Sequence, residues 1–173
     1  MRSAAVVGID PGKTGAIAWI ERDGTVGLMD MQDNPYGQAG DVISLLLRLH
    51  STHNDYVTVW IEKVSAMPKQ GVSSTFSFGT SYGAVIGGVA GASACGVIVT
   101  LRYVTPRKWW QAVKSAGALA KRGKTISKED KLSLARELFP QLADMLKRKK
   151  DHNRADALLI AYYGSTREGD SAA

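Results

Sequence analysis

Two periods of apolar and polar residues alternate along this chain. AAVVGID (4–10) is a continuous apolar run that ends at Asp10-Pro11-Gly12. A short run of β-formers closed by turn residues predicts a buried strand. GAIAWIE (15–21) and TVGLMD (25–30) follow, divided by the turn signal Asp23-Gly24, and the three runs together predict an antiparallel meander. In AGDVISLLLRLH (39–50) the period changes. Val42, Leu45, Leu46 and Leu49 make a helical stripe, with Asp41 in the expected N-cap position. VTVWIEK (57–63) returns to strand composition. After a meander and a helix, such a strand can join the sheet parallel to the first.

FSFGTSYGAVIGGVAGASACG (76–96) reads as a helix in which Gly79, Gly83, Gly87 and Gly91 recur every four residues and share one stripe. Glycine costs roughly 1 kcal/mol against alanine inside a helix, so the stripe calls for a backbone packed very close to a neighbour. VIVTLRYV (97–104) is a further strand, and Pro106 opens a helix in PRKWWQAVKSAG (106–117). SKEDKLSLARELF (127–139) begins with a capping-box variant, Ser127 and Asp130. HNRADALLIAYYG (152–164) is the last helix, with Gly164 as its expected C-cap. The order βββαβαβααα predicts one α/β domain over 1–166, a mixed sheet with helices on its faces, and a disordered tail at 167–173.

Composition narrows the setting. The chain has 173 residues and one cysteine, Cys95, which excludes an internal disulfide and suits a reducing compartment. Cys95 is expected to be a small buried residue, since no activating motif accompanies it. No uncharged apolar stretch has the length of a membrane span, and the start lacks a signal-peptide layout. The chain therefore reads as soluble and cytoplasmic. Its formal charge of +6 conceals an uneven split. Residues 101–150 hold fourteen Lys/Arg and four Asp/Glu, a balance of +10, while the remainder holds eight and twelve, a balance of −4. A basic segment on a mildly acidic body points to a polyanion partner on one side.

Four side chains stand where the apolar pattern predicts burial. Asp10 ends the first strand, and Glu62 ends the strand expected beside it. His152 and Asp156 are four apart at the start of the last helix and share a face. Each has a plain explanation alone: a turn-forming Asp, a rim Glu, a surface His, a first-turn acid on the helix dipole. Together they form a pattern. Carboxylates gathered at adjacent strand ends repel each other and lose solvation, and a divalent cation offsets both costs. An oxygen-rich donor set with no Cys/His quartet suits Mg²⁺ or Mn²⁺ rather than zinc. Two such ions about 4 Å apart clamp the attacking and leaving oxygens of a phosphodiester displacement.

GIDPGKTGA (8–16), WIEK (60–63), the glycine-spaced helix, PRKWW (106–110) and KKDHNRADALLIAYYG (149–164) resemble, in order, the RuvC-type Holliday junction resolvases. The similarity is closest to the branch found in phages and plant organelles. The resemblance implies a ribonuclease H-like fold, a five-stranded mixed sheet flanked by helices. It also implies a homodimer that uses Mg²⁺ or Mn²⁺ to place symmetric paired nicks in a four-way DNA junction. Carried over by motif, Asp10, Glu62 and Asp156 match the family's acids, as catalytic residues and metal ligands. Relatives place an Asp or His three or four residues before the last acid. Position 153 is Asn here, so His152 takes that role, with Asp151 in reserve. The glycine-striped helix becomes a candidate dimer surface, with packing on its own sheet as the alternative.

The segment from Ser65 to Phe78 then lies beside the site. Lys69 and Gln70 are expected to touch phosphate; Phe76 and Phe78 either anchor the following helix in the core or stack on or wedge between bases at an opened branch point. Lys108, Lys114, Lys121, Arg122, Lys124, Lys128 and Lys131 make a phosphate-tracking surface, which Lys147, Arg148, Lys149 and Lys150 extend to the start of the last helix. Trp109 and Trp110 are expected in the core and at its rim. Three other readings compete: a relaxed nuclease for flaps or RNA–DNA hybrids, a non-catalytic junction binder, and an actin-like ATPase phosphate loop. The last needs two related halves, and no second copy of the loop occurs.

Overall fold

A computed structural model of the chain describes residues 3–63, 71–116 and 127–170. Five strands form one sheet: β1 (Ala5–Asp10), β2 (Ala16–Glu21), β3 (Val26–Asp30), β4 (Val57–Glu62) and β5 (Val99–Val104). Their order is β3-β2-β1-β4-β5. The first three pair antiparallel, while β4 runs parallel to both β1 and β5. The sheet is therefore the mixed one expected from the apolar runs.

Strand alternation decides what each face carries. Ala5, Val7 and Ile9 of β1, with Val57, Val59 and Ile61 of β4, point into an aliphatic core under α1 (Pro35–His53) and α2 (Val72–Ala94). Val6 and Trp60 point to the other face. That face is covered by α3 (Pro106–Val113), α4 (Lys128–Leu138) and α5 (His152–Asp170), whose core includes Trp109, Leu132, Leu158 and Leu159. By the same parity Gly8, Asp10 and Glu62 belong to the α5 face. Gly8 is where α5 lies closest to the sheet, because any Cβ there would run into Ala157 O and Ala161 N.

Several local expectations are corrected. The first helix begins at Pro35, capped by Asn34, whose side chain accepts from Gly37 N at 2.8 Å. Asp41 instead sits inside the helix and accepts from the backbone N–H of Gln32 at 2.8 Å. α5 does not stop at Gly164 but runs on to Asp170, into the segment expected to be a disordered tail. Gly164 is needed for a different reason, since a Cβ there would strike Trp60 and Val6. Cys95 is exposed, not buried, at the C-cap of α2. Three of the four stripe glycines face outward, since a Cβ at Gly79, Gly83 or Gly87 would meet nothing within 4 Å, while one at Gly91 would lie 3.1 Å from Ile43 of α1. The close approach to α1 is made one position off the stripe, where a Cβ at Gly88 would lie 2.9 Å from Ala39 O. The Ser127–Asp130 capping box forms as expected. Among the described residues no helix is long and apolar enough to cross a membrane.

Candidate active site

β1 and β4 run side by side in register up to Ile9 and Ile61, so Asp10 and Glu62 emerge together at the C-terminal edge of the sheet. α5, resting on Gly8, brings Asp156 to the same edge. Glu62 and Asp156 are buried, and Asp10 is partly covered.

Electrostatics shows that the three act as one cluster. Burial raises the Asp10 carboxyl well above its ordinary range, and the charges of Asp156 and Glu62 raise it further. Glu62 is raised first by burial and again by Asp156, against the hydrogen bond from Trp109 and the charge of Lys131. Asp156 is raised by burial, against Lys131, His152 and Lys128.

Three groups from the neighbouring helices hold this cluster. The Trp109 indole N–H donates to Glu62 Oε1 at 2.8 Å, with the Trp ring fully buried. Lys131 donates from Nζ to Asp156 Oδ2 at 2.9 Å, and the same ammonium lies 5.0 Å from the centre of the Trp109 ring. Lys128 donates from Nζ to His152 Nε2 at 2.8 Å, and His152 Nδ1 faces Lys149 O at 3.3 Å. An ammonium has only protons to give, so these partners assign the imidazole proton to Nδ1.

His152 lies one helical turn before Asp156, on the same face at the start of α5. Asp151, the reserve, does not join them. It is buried in ion pairs with Arg148 at 2.9 Å and Arg154 at 3.5 Å, and Arg148 holds its carboxyl below the usual range. Asn153 donates to Thr14 O at 2.6 Å and so ties the start of α5 to the turn after Asp10.

The donor set fits a hard divalent cation. All three acids offer oxygens, their mutual repulsion is only partly offset by Lys131 and Lys128, and the buried Oδ1 of Asp156 has no hydrogen-bond partner. Among the described residues no three His, Cys, Asp or Glu side chains already converge at ligand distance on one point. Lys131 instead supplies the positive charge at Asp156.

The expected DNA contacts divide into groups. Lys69, Gln70, Lys121, Arg122 and Lys124 lie outside the described residues. Phe76 is 76% exposed, which rules out a core anchor, while Phe78 stacks on Tyr82 at 6.0 Å. Lys108, Lys149 and Lys150 are exposed. Lys128 and Lys131 turn inward to His152 and Asp156. Trp109 was legible only as a core aromatic, and nothing in its local sequence signals the bond to Glu62.

The fold defines a class: an α/β domain with a five-stranded mixed sheet of the ribonuclease H-like kind, flanked by helices. Within that class the chain is similar to RuvC of Thermus thermophilus, with 20% identity over 95% of this chain and 96% of that one, at a TM-score of 0.55. RuvC from the same organism in complex with a Holliday junction substrate gives 17% identity over 95% and 96% of the two chains, at 0.54. The yeast mitochondrial Holliday junction resolvase Ydc2 gives 15% identity over 98% of this chain and 81% of that one, at 0.53. No family model and no curated protein sequence matches the chain. The likeness lies in the fold, from end to end.

Proposed function

We propose that this protein is a divalent-metal-dependent endonuclease that resolves four-way DNA junctions. The observation that carries the reading is the buried, mutually repelling cluster of Asp10, Glu62 and Asp156 at the C-terminal edge of β1 and β4. The fold shared with two resolvases supports the choice of substrate. Asp10, Glu62, Asp156 and His152 would hold Mg²⁺ or Mn²⁺, which supplies Lewis-acid stabilisation to the oxygens of the phosphodiester.

The chain's own residues do the remaining work. Trp109 orients Glu62 and favours its carboxylate form against the effect of burial. Lys131 and Lys128 place positive charge around Asp156, where negative charge accumulates during displacement. His152, with its proton on Nδ1, would turn the single lone pair of Nε2 to the metal once Lys128 moves to phosphate. Exposed Lys108, Lys149 and Lys150 bind backbone without reading sequence.

A second copy of the chain is the partner we assign to α2. None of its 23 residues is charged, and its open face carries Val72, Phe76, Gly79, Gly83 and Gly87. Two copies joined there would set two sites at a fixed spacing, which is how a dimer selects a symmetric junction. The test is side-by-side cleavage of a four-way junction, a flap and an RNA–DNA hybrid in Mg²⁺ or Mn²⁺. The reading expects paired nicks in the junction. Equal cutting of all three means a relaxed nuclease, and tight binding without cutting means a binding module.

A further inference from the structure

The turn that follows Asp10 is braced from three sides. Gln38, wholly buried, donates from Nε2 to Gly12 O at 3.0 Å. Gly15 N donates to the same carbonyl at 3.0 Å, and Asn153 holds Thr14 O at 2.6 Å. Lys13 stands exposed on this fixed turn, two residues before the start of the next strand's approach.

Two clefts meet at Lys13. One, of about 390 Å³, runs along the start of α5 and is lined by Thr14, Lys150, His152, Asn153 and Arg154. The other, of about 630 Å³, runs to the start of α2 and is lined by Gly71, Ser73, Ser74, Ser77 and Phe78. Lys13 is the residue common to both. Clefts of this volume match sites for small ligands, about 300–1,000 Å³, so they admit single nucleotides rather than a duplex.

Their charges are partly spent. In the first cleft Arg154 pairs with Asp30 and Asp151, and Arg148 pairs with Asp151. Lys13 and Lys150 have no ion pair among the described residues. Among the described residues the second cleft is lined by no acid but by Lys13, Gly71, three serine hydroxyls and the partly buried Phe78 ring. An ammonium between two nucleotide-sized clefts, with hydroxyls and an aromatic face along one of them, is the equipment of a single-strand site. His152 on the wall of the first cleft sets that site beside the acids.

We propose that a single DNA strand lies across the Asp10 turn, with Lys13 clamping its backbone between the two clefts and Lys150 holding the next phosphate along α5. The proposal deepens the nuclease reading and rests on it for the choice of DNA as the strand.

The test is fluorescence anisotropy of a short labelled oligothymidylate, without divalent metal, against wild type, Lys13→Gln, Lys150→Gln and Arg22→Gln. Arg22 lies at the opposite end of β1, bonded to Ala4 O. Lys13→Gln and Lys150→Gln should each weaken binding on the order of fivefold. Each should also flatten the dependence of log affinity on log salt by about 0.7. Arg22→Gln should match wild type. The track is overturned if wild type does not bind the oligonucleotide, or if Lys13→Gln binds as wild type does. Junction cleavage by the same wild-type preparation separates the two readings. Cutting with an unaffected Lys13→Gln sinks the track alone, and a Lys13 effect without cutting sinks the nuclease alone.

Discussion

The two faces of the sheet are closed by different materials. Under α1 and α2 the core is aliphatic, built from Ile9, Ile17, Leu46, Leu49, Ile61 and Val85. Under α3, α4 and α5 it holds Trp60, Trp109 and Tyr163, with the carboxylates of Glu62 and Asp156 at its edge. The outer surfaces differ in the same sense. α2 has no charged residue at all, whereas α4 carries Lys128 and Lys131 toward the acids. One face stores stability and leaves an uncharged helix surface outside it. The other accepts buried like charges, a destabilising arrangement that only a cation relieves.

Glycine substitutions test this contrast most severely. Gly8→Val would push a side chain into the backbone of α5 and should cost about 3 kcal/mol or more of stability, read by urea denaturation. An unchanged midpoint would mean that α5 is not seated on β1. Next in size is Trp109→Phe, which keeps the ring but removes the donor to Glu62. Loss of a hydrogen bond to a charged group costs about 1.5–3 kcal/mol. Because that bond lowers the Glu62 pKa, its removal should move the acidic limb of the pH–rate profile upward. A profile that keeps its limb while the rate falls would mean that Trp109 acts only by packing.

The charged face also makes a stability prediction with a definite sign. Asp10, Glu62 and Asp156 all have raised pKa values in the folded state. Such groups favour folding when protonated, below the ordinary carboxylate range, and that contribution is lost as pH rises through the raised values. In EDTA at neutral pH, Asp10→Asn should therefore melt several degrees above wild type, and Mg²⁺ should narrow the gap by stabilising wild type alone. Equal melting in EDTA would mean that the acids are not in conflict. The smallest effect belongs to the open face. Gly83→Ala should stabilise the helix by up to about 1 kcal/mol, since the added methyl meets nothing in the monomer. On the proposed dimer, wild type should sediment as two copies in analytical ultracentrifugation, and Gly83→Arg as a folded monomer.

How far the sequence foretold this depends on the range over which each signal acts. Strand parity alone sets Gly8, Asp10 and Glu62 on one face, because alternation in AVVGID and VTVWIE is a local property. The His152–Asp156 pair followed equally from helical spacing. The apolar stripe points to a helix start at Asp41, whereas Asn34-Pro35, itself a capping signal, starts the helix earlier in the chain. Lys131 reaches Asp156 across 25 residues, and Trp109 reaches Glu62 across 47. Such pairings depend on how α3 and α4 dock on α5, which no local pattern encodes. Lys13 was overlooked within its own motif, since its two clefts exist only once α2 and α5 are in place.

The central claim is that the buried acids cut branched DNA. It is met most directly by incubating a labelled four-way junction with wild type and Asp10→Asn, each with Mg²⁺ or Mn²⁺ and with EDTA. The account predicts two nicked duplexes from wild type with metal and none with EDTA, and undiminished binding without cutting by Asp10→Asn. A wild-type protein that binds the junction and leaves it whole, or an Asp10→Asn protein that cuts it equally well, would contradict the account.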